Sequence, residues 1–333
     1  MSLRATVIRG ISTALYQGGL VGPIARAAAF TRPRRRVPIL TFHRVNDDND
    51  PFMPSLPTAV FAARMAYIAR NYRVLTVEEL VARLQQGRVP RNALALTFDD
   101  GYRDNLTHAA PILKRLGLPA TVFLVTGHID TPQTLWFDRL GMAFKTATAR
   151  RVALGGGQLL PLGTVGDRVA GLAAALAYLK RLPDDARAAS IDALMIALRS
   201  NPERPKRLML SWDEVDALRG LGFSIGAHTV THPILSRLSR DRAWQEIHGS
   251  KAAIERVLGE PVRAFAYPNG GPDDYNETIM RLVHDAGFAC AVTTRRGLND
   301  TDTPMLELRR GGPWEHHLPT FALKLAHYSA TGA

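Results

Sequence analysis

Short apolar runs alternate with longer amphipathic stretches along most of the chain after residue 36. The runs have the composition of buried strands, and the stretches repeat their apolar positions with the period of a helix. They predict strands at 37–43, 73–75, 93–98, 120–126, 223–228, 262–267, 288–293 and 305–309, and helices at 58–71, 76–86, 105–116, 212–220, 239–258, 273–286 and within 316–328. Because strands alternate with helices, we expect a parallel sheet covered by helices.

The alternation stops between about residue 130 and residue 208. This region begins with Trp136-Phe137-Asp138, passes through the three glycines 155–157, and predicts two helices, at about 167–182 and 184–199. No Lys-Ser/Thr pair follows the glycines and no strand clearly precedes them, so they indicate a flexible turn rather than a phosphate-binding loop. We therefore expect a mostly helical insertion in a βα connection, long enough to form a lid or a partner surface.

The first 36 residues have a pattern of their own. Their apolar positions recur at helical spacing, at Leu3, Val7, Ile8, Ile11 and Leu15. Glycines between residues 18 and 22 end this helix, and the apolar run is too short to span a bilayer. Two interpretations follow: an amphipathic helix that lies on a membrane surface, or a helix that packs on the outside of the domain.

The charge of the chain bears on that choice. Lysine and arginine number 42 against 30 aspartate and glutamate residues, which gives a net charge of +12. The densest basic run, 32–36, directly follows the amphipathic segment, so we expect contact with anionic lipid or a lipid-linked sugar rather than with nucleic acid. This predicts a cytoplasmic protein, peripheral on the inner face of the membrane. Export, with cleavage near Ala27, is the alternative.

The single cysteine, Cys290, lies in the apolar stretch 288–292. A lone cysteine excludes a disulfide within the chain, and its apolar surroundings predict a buried, reduced thiol rather than a catalytic one.

Two adjacent carboxylates, Asp99 and Asp100, directly follow the apolar run 94–98, and Gly101 follows them. Neighbouring residues on a strand point to opposite faces, so the two carboxylates are suited to different roles. One can hold a cation while the other stays free as a base. An Asp-Gly pair also favours an ordinary turn, so this segment alone does not decide the matter.

Two histidines, His228 and His232, follow the apolar run 223–227. A separation of four residues is a spacing of metal ligands. One carboxylate with two imidazoles leaves positions open for water and substrate, as in catalytic metal sites. Because the C-terminal ends of parallel strands open onto one face of a barrel, we expect this strand end and the aspartate pair to meet there.

The segments 97–101 (TFDDG) and 228–232 (HTVTH) resemble the motifs of the polysaccharide deacetylase family, the carbohydrate esterases with a NodB-type domain. Residues 39–45, 265–270 and 285–292 resemble that family's YHRV, FAYPYG and AGF…AV stretches, so the similarity spans about 37–312 and indicates the branch that carries FAYPYG. The resemblance implies a distorted (β/α) barrel over residues 37–333 that includes the helical insertion. It also implies a metal-dependent enzyme that removes N-acetyl groups from an amino sugar in a glycan, an exopolysaccharide or a lipid-linked precursor.

The resemblance assigns roles to individual residues. Asp99 matches the general base of the family, and the metal ligands would be Asp100, His228 and His232. Zinc suits this ligand set, with cobalt, nickel, manganese and iron as alternatives. The oxyanion of the tetrahedral intermediate needs a donor, for which the backbone N–H of Asn269 is in the matching position. Tyr267 and Pro268 precede it and are expected to contact the substrate.

Two departures from the family pattern are visible. Ala266 stands where the family has an arginine beside the base, and we expect Arg310 to supply the missing charge. The late LxH motif, whose histidine acts as general acid, is not found. His316 and His317 lie in its neighbourhood without its pattern, and we interpret them as surface residues at the start of a helix. His43, at the end of the first strand, is a candidate for substrate binding, although a hydrogen-bonded strand-end histidine is an equal alternative.

Three functions remain open on the sequence. The leading one is the metal-dependent N-deacetylase. A cyclic amide or ureide hydrolase of the same fold is the second, and the intact ligand set argues against it because some of those enzymes need no metal. The third is a carbohydrate-binding relative of low activity, suggested by the net charge of +12 and the missing late histidine. Metal retention discriminates between them, since a pure binding protein has little need of the cation.

Overall fold

The strands form one parallel sheet of seven strands that curls into an incomplete barrel surrounded by helices. The structure, a computed structural model, describes residues 3–23, 35–200 and 207–332. The strands are β1 Ile39–Phe42, β2 Arg73–Leu75, β3 Ala93–Phe98, β4 Thr121–Leu124, β5 Arg151–Ala153, β6 Leu159–Pro161, β7 Ser224–Ala227, β8 Ala264–Ala266 and β9 Cys290–Val292. The order in the barrel is β1-β3-β4-β7-β8-β9, with β2 paired to the first half of β3, while β5 and β6 form a separate antiparallel pair.

The helices occupy most of the connections between these strands. They span Leu3–Gln17, Thr58–Asn71, Val77–Gln85, Ala110–Leu116, Trp136–Lys145, Val165–Leu179, Asp184–Ala197, Trp212–Gly220, Arg240–Leu258, Glu277–Asp285 and Leu318–Thr331. The helix predicted at 105–116 begins with a π-helical turn at Asn105–Ala109. Side-chain caps explain several of the starts: the Ser211 hydroxyl accepts from the Glu214 N–H while the Glu214 carboxylate accepts from the Ser211 N–H.

The gap between β9 and β1 is spanned by residues 305–311, which form no regular strand. Leu308 makes a single parallel bridge to Val292, and the Gly311 N–H donates to the Ile39 carbonyl at 3.0 Å. The predicted strand at 305–309 is therefore wrong as a regular element. Its residues pass from one neighbouring strand to the other within a few positions, so they cannot keep a ladder with either.

Successive side chains of the strands face two different cores. Leu94, Leu96 and Phe98 of β3 face the larger core, between the sheet and the outer helices. The alternate residues Ala93 and Ala95 face a smaller core on the inner side, which they share with Phe123. All six residues of β3 are buried, as expected for a parallel strand covered on both faces.

The insertion carries a hydrophobic core of its own, built from its three helices around Phe144, Leu172 and Leu194. It also contains the hairpin of β5 and β6, whose turn holds the glycines at Gly155–Gly157. The sequence indicates no strand before these glycines, and β5 shows that this expectation is wrong. Strands of three residues are too short to stand out as a period in the sequence.

The N-terminal helix packs against the C-terminal helix Leu318–Thr331. Ser12 is fully buried between them, and its hydroxyl oxygen lies 3.0 Å from the Thr320 hydroxyl oxygen. Two apolar side chains of the predicted face are instead about half exposed, Val7 (51%) and Ile11 (53%). The predicted apolar face is therefore only partly packed, since Leu15 lies against the main core while Val7 and Ile11 remain largely exposed.

Most of the expected basic run lies outside the described residues, as does the cleavage position expected at Ala27. Arg35 donates to the Val89 carbonyl, and the Arg36 Nε lies 3.6 Å from Asp300 Oδ2. These two cations therefore have partners within the domain. Among the described helices, none combines the length and the apolar character that crossing a bilayer requires.

Candidate active site

The two strand ends that the sequence singled out meet at the C-terminal edge of the barrel. Asp100 follows β3, and His228 and His232 follow β7. The Asp100 Oδ1 lies 3.5 Å from the Nε2 of each histidine. All three side chains are buried, and one ligand atom from each lies within 4.8 Å of the others. These residues are far apart in the sequence, and the parallel pairing of β3 with β4 and of β4 with β7 brings them together.

The hydrogen bonding of His228 suits a metal ligand. Its Nδ1 lies 2.7 Å from the Ala266 carbonyl oxygen, which can only accept, so Nδ1 carries the proton and the Nε2 lone pair faces Asp100. Burial lowers the pKa of His228 to about 4 and that of His232 well below 6.5. Both imidazoles are therefore neutral at neutral pH, which is the form that binds a metal.

The donor set fits a divalent cation. The Asp100 Oδ1 is buried and accepts no hydrogen bond from the described residues. Burial and the charge of Asp99 raise the pKa of Asp100 well above its ordinary value. A buried carboxylate oxygen without a donor is unfavourable, and a cation between it and the two Nε2 atoms would satisfy it. One carboxylate with two imidazoles is a set that zinc accepts.

The second carboxylate, Asp99, is held by Arg310. The two guanidinium nitrogens donate to its two oxygens at 2.7 and 2.8 Å, and the Arg310 Nε donates to the Thr293 carbonyl at 2.9 Å. Arg310 is 1% exposed and Asp99 is 2% exposed. Burial by itself would raise the pKa of Asp99, but the charge and hydrogen bonds of Arg310 outweigh it and hold the pKa below 3.8. Asp99 is therefore ionised at neutral pH.

Four residues of the site have a left-handed backbone conformation. Their φ angles are positive, at Asp100 (77°), Thr229 (68°), His232 (61°) and Asn269 (59°). Such angles are uncommon outside glycine and cost about 1–3 kcal/mol each, most clearly for a β-branched residue such as Thr229. Strained backbone gathered at one place indicates that the positions of these residues matter more than local stability.

A glutamate from the following helix fixes the loop that carries the two histidines. The Glu246 Oε2 accepts from the backbone N–H groups of Val230 and Thr231, both at 2.8 Å, and its Oε1 accepts from the Thr231 hydroxyl at 2.7 Å. Glu246 is 5% exposed. No local sequence pattern links Glu246 to the histidine loop, so the sequence alone does not indicate this role.

A cavity of about 300 Å³ opens above the two aspartates and the two histidines. Its wall includes His43, whose Nε2 lies 4.0 Å from Asp99 Oδ2 and whose side chain is 55% exposed. It also includes Asn269, whose backbone N–H donates to no described residue although its carbonyl accepts from the Thr294 hydroxyl. An unpaired backbone donor thus borders the cavity at the position where the sequence analysis expected one.

The other expected residues are placed differently. Tyr267 borders the cavity, but its hydroxyl donates to the Leu306 carbonyl at 3.1 Å, so that donor is already used. Pro268 does not belong to the wall. His316 borders a shallower neighbouring cavity. His317 immediately precedes the C-terminal helix, with its Nδ1 2.8 Å from the Thr320 hydroxyl oxygen.

The insertion supplies one wall of the cavity, which no sequence motif indicated. Its contribution consists of Phe137, Asp138, Leu176 and Lys180. The Phe137 ring lies 5.3 Å from the His232 ring. Burial raises the pKa of Asp138 to about 6, although its hydrogen bond from Tyr102 acts in the opposite direction. A buried carboxylate in a cavity is an expected feature of a functional site.

A parallel barrel whose strand ends bring together one aspartate and two histidines, beside a second buried carboxylate, has the construction of a metal-dependent hydrolase. The family model described as polysaccharide deacetylase matches residues 86–291. The chain belongs to the polysaccharide deacetylase family and is a deacetylase enzyme.

Relatives of known name agree with this family. A putative polysaccharide deacetylase of Bacillus subtilis, YxkH, is 22% identical over 282 residues, which cover 84% of this chain and 72% of the relative. The poly-β-1,6-N-acetyl-D-glucosamine N-deacetylase of Staphylococcus epidermidis is 34% identical over 63 residues, 19% of this chain and 22% of that protein. The solved structure of the Streptococcus pyogenes deacetylase PplD has a TM-score of 0.56 and 20% identity, and covers 83% of this chain and 92% of that one. This last similarity concerns the fold.

Proposed function

We propose that this enzyme removes the acetyl group from an N-acetylated amino sugar with the help of a divalent cation, zinc first among the candidates. The observation that carries the proposal is the convergence of Asp100, His228 and His232 on one point, next to the ionised Asp99. Hydrolysis of an amide needs a base, a group that polarises the carbonyl and a donor for the oxyanion, and each has a counterpart around the cavity.

The residues of the chain divide this work. When bound, a divalent cation supplies a Lewis acid that polarises the acetamide carbonyl and lowers the pKa of water. Asp99, kept ionised by Arg310, takes the proton of the attacking water. The Asn269 N–H donates to the oxyanion that develops. His43 borders the cavity next to Asp99, but burial lowers its pKa below 6.5, so it is mainly neutral at neutral pH and we assign it to contact with the substrate. The proton that Asp99 takes from the water is then available to the leaving amine.

The name of the staphylococcal relative supports a polymer of N-acetylglucosamine as the first substrate to test. Zinc-loaded full-length protein should release acetate from β-1,6-linked N-acetylglucosamine oligomers. His228→Ala should abolish both metal retention and acetate release. Asp99→Asn should abolish acetate release while the metal stays bound, because Asp99 is not a proposed ligand. His284→Ala, which changes an exposed histidine on an outer helix, is the control and should leave both unchanged.

The two other functions predict different results. Turnover of a cyclic ureide without acetate release from any sugar would favour the ring-opening hydrolase. A protein that binds sugar but releases no acetate with zinc, cobalt, nickel, manganese or iron would favour the carbohydrate-binding relative. Acetate release that survives His228→Ala would refute the proposed metal site.

We also propose that the N-terminal helix binds the inner face of an anionic membrane. This contact would bring the enzyme to a lipid-linked or membrane-associated glycan. The exposed Val7 and Ile11 support this, because the packed side of the same helix leaves them free. The double variant Val7→Ser, Ile11→Ser should reduce co-sedimentation with anionic liposomes without unfolding the protein, and high salt should weaken binding of the unaltered protein. Equal sedimentation of the two proteins would contradict the proposal.

A further inference from the structure

Asp138 is a buried carboxylate of the cavity that the proposed reaction does not use. It lies in the first turn of the insertion helix Trp136–Lys145 and is 4% exposed. It borders the same cavity as the proposed metal ligands, yet it does not belong to the cluster of ligand atoms formed by Asp100, His228 and His232 in the described parts of the chain. Asp138 therefore stands beside the metal site without being part of it.

The position of this carboxylate is fixed. The Tyr102 hydroxyl donates to the Asp138 Oδ2 at 2.9 Å, and Tyr102 is itself 2% exposed. The Arg44 guanidinium lies 5.1 Å from the centre of the Tyr102 ring, and its Nε donates to Asp104 at 3.2 Å. Because Tyr102 comes directly after Gly101, these contacts attach the insertion to the segment that holds Asp99 and Asp100.

The other oxygen of Asp138, Oδ1, accepts no hydrogen bond from residues 3–23, 35–200 or 207–332. Among the described residues it is not one of the fully enclosed polar atoms without a partner, unlike the Asp100 Oδ1, so it remains accessible from the cavity that Asp138 borders. Its neighbours Asp100 and Asp104 are also acidic and offer no donor. Since Asp138 borders the cavity, a donor can come from a molecule bound there.

We propose that Asp138 accepts a hydrogen bond from a hydroxyl group of the substrate sugar and thereby orients the sugar ring over the metal site. The inference rests on the proposed function, because it takes the occupant of the cavity to be an N-acetylated amino sugar. Hydroxyl groups are the main donors of such a sugar, and hydrogen bonds to an ionised carboxylate are stronger than neutral ones. A sugar without the matching hydroxyl would leave Asp138 unpaired, so the insertion would select among sugars.

The test removes the Asp138 carboxylate and the matching sugar hydroxyl, first separately and then together. The substrates are the methyl glycoside of N-acetylglucosamine and its 3-deoxy, 4-deoxy and 6-deoxy analogues, and the proteins are zinc-loaded full-length enzyme, Asp138→Asn and Asp138→Leu. Both variants should lose about ten- to hundredfold in kcat/KM on the parent sugar, the usual range for a hydrogen bond to a charged group. On one deoxy analogue, the variants and the unaltered enzyme should differ little. Asp185→Asn, an exposed aspartate in the first turn of another insertion helix, is the matched control and should change nothing.

Several results would overturn the inference. A loss of equal size on every analogue would indicate a role in proton transfer or in structure instead. A lower zinc affinity of Asp138→Asn would indicate a role in holding the metal. A marked fall in the Tm of Asp138→Asn would indicate a structural role, whereas we expect that Tm to stay unchanged because the amide oxygen can still accept from Tyr102. Asp138→Leu leaves the Tyr102 hydroxyl without its acceptor and should have a somewhat lower Tm.

If the proposed function is wrong, the unaltered enzyme releases no acetate from any of these sugars, which is distinct from the results above. The same comparison is then made with dissociation constants from calorimetric titration of each sugar into the full-length protein. Binding of the parent sugar that Asp138→Asn and Asp138→Leu do not weaken, or no binding at all, would refute the role of Asp138.

Discussion

Replacing Arg310 with methionine tests the central electrostatic argument. The change removes the guanidinium that donates to both oxygens of Asp99 at 2.7 and 2.8 Å, and it leaves a carboxylate that is 2% exposed without a partner. Breaking a buried ion pair by removing one member typically costs about 3–5 kcal/mol, because the remaining charge stays buried. We therefore expect Arg310→Met to lower the free energy of unfolding by about that amount at neutral pH.

The loss of unfolding free energy in Arg310→Met should depend on pH, and the contacts of Asp99 determine the sign of that dependence. In the unaltered protein the pKa of Asp99 is lowered, so the ion pair contributes stability above the ordinary value of 3.8 and loses it as the pH falls through the folded-state pKa. In the variant the charge and hydrogen bonds of Arg310 are gone while burial still raises that pKa, so the penalty grows as the pH rises above about 4. The difference between the two proteins should be largest at about pH 7 and smaller at pH 4, because over that interval only the penalty of the variant is lost; the contribution of the ion pair persists until the pH falls through the lowered pKa of Asp99. The acidic limb of kcat/KM should also move to higher pH, because the base must be ionised.

Urea unfolding of the zinc-loaded proteins at these two pH values measures the effect. The free energy of unfolding of Arg310→Lys should lie between those of the unaltered protein and Arg310→Met. A lysine keeps the charge but cannot donate to both oxygens at once with the geometry of a guanidinium. Arg309→Met is the matched control, since it removes an exposed neighbouring arginine and should cost no more than about 0.5 kcal/mol. If Arg310→Met and Arg309→Met unfold alike at neutral pH, or if their difference does not change with pH, the reasoning about Asp99 is wrong.

Two further predictions concern residues that support the site. Glu246→Gln should weaken zinc binding about ten- to hundredfold in competition with a chelator, because an amide cannot accept all three hydrogen bonds from the histidine loop; unchanged affinity would show that the loop holds its shape unaided. Gly226→Ala should lower the free energy of unfolding in urea by about 1–3 kcal/mol, since a Cβ there would come within 2.5 Å of the Phe123 ring. Gly220→Ala, where a Cβ meets nothing within 4 Å, is its control, and equal effects of the two changes would contradict the packing argument.

The barrel and the metal site were predictable because their signals are local. Each strand end carries its own motif, and the parallel arrangement then brings the C-terminal ends of β3 and β7 to one face. The contact between Arg310 and Asp99 was also expected, from the absence of an arginine at position 266. The catalytic and binding roles of these residues stay predictions until the variants are measured.

The features that the sequence did not reveal depend on contacts between distant segments. Glu246 accepts hydrogen bonds from a loop that belongs to another element. The carboxylate of Asp138 reaches the cavity wall and its partner Tyr102 only in the folded insertion. The packing of Ser12 could not be predicted for a similar reason, since it is buried against a helix distant in sequence, where its hydroxyl oxygen lies 3.0 Å from that of Thr320. Hydrophobic periodicity identifies a helix but cannot identify the partner that its faces meet.

The separate core of the insertion has a consequence for engineering the enzyme. Because Phe144, Leu172 and Leu194 form a core separate from that of the barrel, changes on the cavity side of the insertion should leave the packing of the barrel intact. A library that randomises Leu176 and Lys180 could therefore be selected for new sugars while the metal ligands and the barrel stay constant. In this molecule, the wall that can be varied and the strand ends that carry the proposed metal ligands come from different segments of the chain.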